Sequence, residues 1–215
     1  MLEDCSPFLI VTIVAISYFL GAIPSGYLIG KLKGVDIRKQ GSGNIGATNA
    51  FRILGAKAAS VVLLADAFKG FLSCLLAPII ASEWTGVPIS DDTASLLMII
   101  AGLGAILGHS FTFWLKFKGG KGIATSAGVF LTITPLALGI CLLVFSITIF
   151  LSRYVSLSSI LAAICLPFSV YLIYHNLLIS SITVVIALLV IYRHRSNIKR
   201  LLNGTENRLG SKNRS

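Results

Sequence analysis

The chain has 215 residues, is 55% hydrophobic and only 12% charged, with a mean hydropathy of +0.89. That balance excludes an ordinary soluble domain. The net charge of +10 does not point to nucleic acid, because the cations cluster in short segments between apolar runs. The reading is an all-α integral membrane protein, a polytopic helix bundle forming a single membrane domain over 1–215, since several runs reach the roughly 20 apolar residues that a helical span requires.

In chain order, the first apolar run covers about 8–30. Glu3 and Asp4 precede it and no Lys or Arg does, so it reads as a retained span rather than a cleaved signal peptide. A basic stretch over 31–57 follows, then apolar runs at 54–80 and 94–115. The loop between these runs, 81–93, carries Glu83, Asp91 and Asp92 but no Lys or Arg. Further cations lie at 116–121, at Arg153 and from Arg193 onward. By the positive-inside rule this places the N-terminus outside, and 31–52, 116–122 and the C-terminus in the cytoplasm.

Apolar runs at 123–150, 155–174 and 176–192 remain, and an even number of crossings must reach the basic tail. A break at Thr134–Pro135 divides 123–150 into two short spans, because proline ends or kinks a helix. That solution gives about seven spans and keeps Arg153 and Ser156 inside. The alternative makes 155–192 one bent element and gives five. The tail over 207–215 is polar and reads as flexible. Cys5, Cys74, Cys141 and Cys165 form no CxxC pair, so neither a disulfide framework nor a metal centre is indicated, and no cofactor is expected.

Four polar segments carry candidate chemistry at the cytoplasmic face: 31–52, 116–122, 153–159 and 193–206. The first ends in GSGNIGATNAFR. Gly41 and Gly43 let backbone N–H groups approach an oxyanion, and Ser42, Asn44, Thr48 and Asn49 add neutral donors. Arg52 supplies a planar cationic fork. The pattern lacks GxxxxGK[ST], so it is not a nucleotide P-loop. The second, GHSFTFWLKFKGGKG over 108–122, sets Lys116, Lys118 and Lys121 around Gly119 and Gly120, with His109 deeper on the preceding helix. This reads as a second anion site, its amides and Lys121 converging on one phosphate. Aromatic residues between them suit a membrane boundary or an acyl-chain entrance.

The third segment, RYVSLSS over 153–159, offers Ser156 and Ser159 either as helix caps or as phosphate contacts. In the fourth, RHRSNIKRLLNGTE over 193–206, His194 and Asn197 lie one turn apart, near Arg200 and Glu206. Within the second span, Asp66 and Lys69 are spaced to pair on one helix face, and intramembrane charges mark a polar interior.

These segments, in this order and with Asp66-Ala67-Phe68-Lys69-Gly70 between them, closely resemble the bacterial acyl-phosphate:glycerol-3-phosphate acyltransferase family over about 21–206. The resemblance implies acyl transfer from acyl phosphate to the 1-position hydroxyl of glycerol 3-phosphate, giving 1-acyl-glycerol 3-phosphate and phosphate. It also implies the bacterial inner membrane, an active site facing the cytoplasm, and no use of acyl-CoA or acyl-carrier protein. Membrane lipids are the only other expected partner, with no nucleic acid. Ser42, Arg52, Lys121, a serine of 156–159, His194, Asn197 and Glu206 fall on the family's functional positions.

The residues fit such chemistry. Both substrates carry a phosphate, and the mixed anhydride is already activated, so positioning and charge stabilisation suffice. The position five after His109 is Trp114, so a His-x-x-x-x-Asp dyad is absent. The base is left between His194 and a phosphate oxygen of the acceptor. The competing reading is a small organophosphate or anion transporter, which predicts broken or charged helices at mid-membrane and paired repeats. A lipid-binding assembly subunit without chemistry is a third and weaker reading.

Overall fold

The computed structural model describes residues 5–210, and these residues form helices and connecting loops without a strand. They divide into two compact units, 1–133 and 134–215.

The first unit begins with α1 (Pro7–Ala22). Ser6 caps it by accepting from Leu9 N, with proline in the first turn, where its missing N–H costs nothing. Pro24 then breaks the span, and the chain resumes as α2 (Ser25–Leu32). A 3-10 turn at Ile37–Lys39 leads to α3 (Ala47–Leu54). α4 (Ala56–Thr85) is thirty residues long and carries Asp66 and Lys69 on its buried side. α5 (Asp91–Ser110) starts at the Ser90 cap, with Asp91 and Asp92 favourably placed at the positive end of the helix dipole. α6 (Ile123–Ile133) closes the unit.

Small residues let these helices approach closely, as membrane packing requires. A Cβ at Gly108 of α5 would strike Tyr18 O of α1, and one at Gly128 of α6 would strike Ala67 O of α4. An apolar cluster of Leu9, Ile13, Ala77, Ala81, Leu97 and Ala101 joins α1, α4 and α5.

The second unit holds α7 (Pro135–Ser152), α8 (Val155–Tyr174), α9 (Leu177–Arg193) and α10 (Arg195–Leu202). Arg153, in the left-handed conformation at φ 61°, makes the tight turn between α7 and α8. The chain bends at His194, where α9 and α10 meet at 59°.

The protein is thus an all-helical polytopic membrane protein, as expected, with five helical segments among the described residues long and apolar enough to cross, or six if the bent α9–α10 pair counts as one. The break at Thr134–Pro135 is present. α6, however, has eleven residues, a rise of about 16 Å against a core of ~30 Å. It does not span alone, which lowers the count from the expected seven. The Pro24 break in the first span is a feature the apolar pattern conceals, because both flanks carry apolar residues through Ile29. Residues 211–215 of the expected flexible tail lie outside the described residues. Within it, Leu209 N donates to Arg153 O at 2.7 Å and Arg208 Nε donates to Tyr154 Oη at 3.1 Å.

Candidate active site

In the first unit the loop over 36–46 is built around one side chain. Asn49, in the first turn of α3, is buried, and its Nδ2 donates to Ile37 O (2.9 Å), Asn44 O (2.8 Å) and Gln40 O (3.3 Å). Its Oδ1 accepts from Ser42 N at 2.9 Å. The amide is engaged with the loop backbone, so Asn49 shapes the loop that carries Ser42 and Asn44. The hydrogen bond also explains Gly41, which has φ +58° and whose Cβ would strike Asn49 Oδ1.

Asn44 Oδ1 accepts from Gly46 N at 2.9 Å, an Asx turn that leads into α3. The N-terminus of α3 carries no side-chain cap, leaving a positive helix end beside exposed Ser42 and half-buried Thr48. Arg52 lies in the last turn of the same helix. Arg38 is already engaged: it forms a two-point pair with Asp36 (2.9 and 2.7 Å) and sits over the Tyr27 ring. The Arg38 hydrogen bonds hold the Asp36 carboxyl down at about 2.

The second cationic loop packs directly on the first, with Leu115 buried against Ile37 and Ile45. Thr112 Oγ1 donates to Ala22 O at 2.5 Å, and Tyr18 Oη donates to Phe111 O at 2.7 Å, tying the loop to the end of α1. Lys116 and Phe117 both take left-handed backbone angles, at φ 55° and 60°. Such angles are uncommon for bulky side chains, and they turn the chain back toward α5.

There the expected amide cradle fails. Gly119 N donates to Ser110 O (3.2 Å) and Gly120 N to His109 O (3.0 Å), so both N–H groups serve the turn and not an anion. A Cβ on Gly120 would enter the His109 ring, and one on Gly119 would meet His109 O. These glycines are small because a buried histidine packs against them. His109 itself is 4% exposed, with Nδ1 3.5 Å from Asp66 Oδ1, so it lies in a buried polar cluster with Asp66. The expected Asp66–Lys69 pair is formed at 2.8 Å. Lys121 follows at half-buried depth.

In the second unit the organising group is a carboxylate. Glu206 Oε1 accepts from Ser156 Oγ (2.9 Å) and Asn197 Nδ2 (2.7 Å), and Oε2 accepts from Arg200 Nε (2.6 Å). Burial pushes the Glu206 carboxyl up, but those three donors and the Arg200 charge outweigh it and hold it below the ordinary glutamate value. Four expected site residues therefore meet at one point. Ser159 does not join them, because its Oγ donates to Val155 O one turn back on its own helix.

His194 sits at the α9–α10 bend, 2% exposed, with Nδ1 2.8 Å from Val190 O. A carbonyl can only accept, so Nδ1 carries the proton, and in the neutral ring Nε2 holds the lone pair. Among the described residues no cluster of His, Cys, Asp and Glu has a geometry suited to a metal ion.

Comparison with known proteins agrees with this architecture. The glycerol-3-phosphate acyltransferase family model matches residues 11–204. The glycerol-3-phosphate acyltransferase of Fusobacterium nucleatum is 45% identical over 196 residues, covering 91% of this chain and 95% of its own. Two crystal structures of PlsY (YgiH), an integral membrane glycerol 3-phosphate acyltransferase, superpose well. The glycerol 3-phosphate form has a TM-score of 0.82 at 40% identity, covering 94% of this chain and 96% of its own. The lysophosphatidic acid form has a TM-score of 0.80 at 39% identity, covering 94% and 95%.

Proposed function

Because the chain belongs to the integral membrane glycerol-3-phosphate acyltransferase family and is an enzyme that makes lysophosphatidic acid, we propose that its acyl donor is an acyl phosphate and that the acyl group goes to the 1-position hydroxyl. The supporting observation is the packing of two cationic loops on one another in the first unit, through Leu115 against Ile37 and Ile45. Two anion-holding loops in contact suit two substrates that each carry a phosphate.

In this reading Ser42, Asn44, Thr48 and the α3 N-terminus hold the phosphate of glycerol 3-phosphate, and Arg52 neutralises it. Lys121 stabilises the phosphate that departs from the donor. The acceptor hydroxyl attacks the acyl carbonyl carbon, the bond from that carbon to the phosphate oxygen breaks, and inorganic phosphate leaves. Asn197 orients the glycerol hydroxyls. His194 Nε2 takes the hydroxyl proton and passes it to the leaving phosphate. Glu206 fixes Ser156, Asn197 and Arg200 at the geometry they need. The distribution of Lys and Arg supports a catalytic face in the cytoplasm, and the resemblance to bacterial family members supports an inner-membrane location.

The donor is tested with purified protein, labelled glycerol 3-phosphate, and palmitoyl phosphate or palmitoyl-CoA in parallel. Equal amounts of lysophosphatidate and phosphate from the acyl phosphate, with none from the CoA ester, are expected. Turnover with the CoA ester overturns the donor assignment. The base is tested by the pH–rate profile of His194→Gln. Most of the wild-type kcat with an unchanged profile transfers the proton to a phosphate oxygen of the acceptor.

A further inference from the structure

The buried polar cluster in the first unit lies between the Pro24 break and the second loop, and touches both. Pro24 interrupts the first span, so the carbonyls of Ala22 and Ile23 lose the regular helical partners they would otherwise have. Such groups are costly in a membrane interior unless something satisfies them. Thr112 of the second loop donates to Ala22 O at 2.5 Å; Ile23 O accepts from Ser25 N at 3.0 Å and, as a second bond, from Lys69 Nζ of α4 at 2.9 Å.

Lys69 is in turn 2.8 Å from Asp66 Oδ1, and the same oxygen lies 3.5 Å from His109 Nδ1. The far edge of the His109 ring fills the space where Gly120 has no Cβ, and His109 O accepts from Gly120 N. Asp66, Lys69 and His109 are all buried. The chain of contacts therefore runs from the Pro24 break, which launches the first loop, to Gly120, the residue before Lys121. Packing alone does not explain it, since apolar residues of similar volume fill a core at less cost than a buried charge pair.

We propose that Asp66, Lys69 and His109 are positioning residues for the acyl transfer: they set the broken α1–α2 span and the Gly119–Gly120 turn in fixed register and so hold Lys121 at its working position. The inference rests on the assignment of Lys121 to the departing phosphate.

The test measures kcat and KM per folded molecule, with the folded fraction set by size-exclusion profile and thermal melting. The double variant Asp66→Asn/Lys69→Met removes both charges together and so strands neither. The pair His109→Asn and His109→Ala supplies the second measurement, because an asparagine amide stands close to the place of Nδ1 and can still face Asp66. In folded double variant, kcat is expected to fall by about 10- to 100-fold, the range a misplacement of about 1 Å produces, while KM for glycerol 3-phosphate changes by no more than about twofold. His109→Asn is expected to recover most of the kcat that His109→Ala loses.

A folded double variant with wild-type kcat overturns the proposal, as does an alanine variant no slower than the asparagine variant. If the double variant does not fold, the His109 pair decides. Lys121→Met is measured alongside. If it turns over normally, the site assignment itself fails. If it is inactive while the cluster variants behave as wild type, only the positioning role fails.

Discussion

Each unit of this protein organises its polar loop around one buried side chain, but the two choose opposite chemistry. In the first, the neutral amide of Asn49 bonds almost entirely to backbone and fixes the path of the 36–46 loop. In the second, the charged carboxylate of Glu206 bonds to three other side chains and fixes where they point. An amide does not titrate, so the first arrangement is indifferent to pH. A carboxylate gathers charge-assisted bonds of greater strength at the cost of depending on ionisation. The first arrangement fixes the path of a backbone loop, whereas the second aims a set of side-chain donors.

The largest expected effect lies on Lys121. Lys121→Met should lower kcat by about 10²- to 10³-fold, the loss typical of removing one preorganised charge-stabilising group. An unchanged melting temperature must accompany the loss if the effect is chemical. Asn49→Ala comes next. It strands the buried Ile37 carbonyl, while Ser42 N–H and Asn44 O lie in part-buried bonds that water can replace, and should destabilise the protein by roughly 1–3 kcal/mol, the cost of one stranded buried group. That cost should be the same at pH 5 and pH 8 in thermal melts.

Glu206→Gln sharpens the contrast. The native state keeps Glu206 ionised where the unfolded chain begins to bind a proton, so the unfolded state takes up more protons on acidification and stability falls. The contribution is complete above the ordinary glutamate value of 4.5 and is lost as the pH drops through the lower native value. Melts of wild type should therefore decline on that acid side more steeply than melts of the glutamine variant. Equal slopes would mean that Glu206 contributes no proton-linked stability. The smallest effect belongs to Ser159→Ala, because that hydroxyl bonds only within its own helix turn. Activity within about twofold of wild type is expected, in line with the small cost of most substitutions away from such networks.

Much of this arrangement is legible in the residues. Hydropathy and cation placement outline the helices, and the Thr134–Pro135 break follows from proline chemistry. The pairing of Asp66 with Lys69 follows from their spacing on one helix face. Glycine-rich, cation-bearing loops are equally visible as loops. What they do in detail is not, because a glycine permits several things. Gly119 and Gly120 suggest open amides in the sequence, yet they are small to admit His109, a contact across a turn that no local pattern encodes. Asn49 reads as a ligand donor, and its shaping of the loop shows only in the carbonyls of Ile37 and Gln40 around it, which depend on the closed path of the loop. The gathering of Ser156 with Glu206 is a contact between residues fifty positions apart, which helical periodicity cannot supply. α6 falls short of a span because a strongly apolar run fixes hydrophobicity, while Pro135 fixes length.

The central claim is that the 41–52 loop receives the phosphate of glycerol 3-phosphate. The most direct measurement is a titration of glycerol 3-phosphate at fixed, saturating palmitoyl phosphate for wild type and Arg52→Ala. Loss of a charge-assisted phosphate contact should raise KM for glycerol 3-phosphate by about 10- to 100-fold, corresponding to the 1.5–3 kcal/mol of such a bond, in protein that still melts like wild type. An unchanged KM for glycerol 3-phosphate, with the defect appearing instead in the titration of palmitoyl phosphate, would contradict the claim.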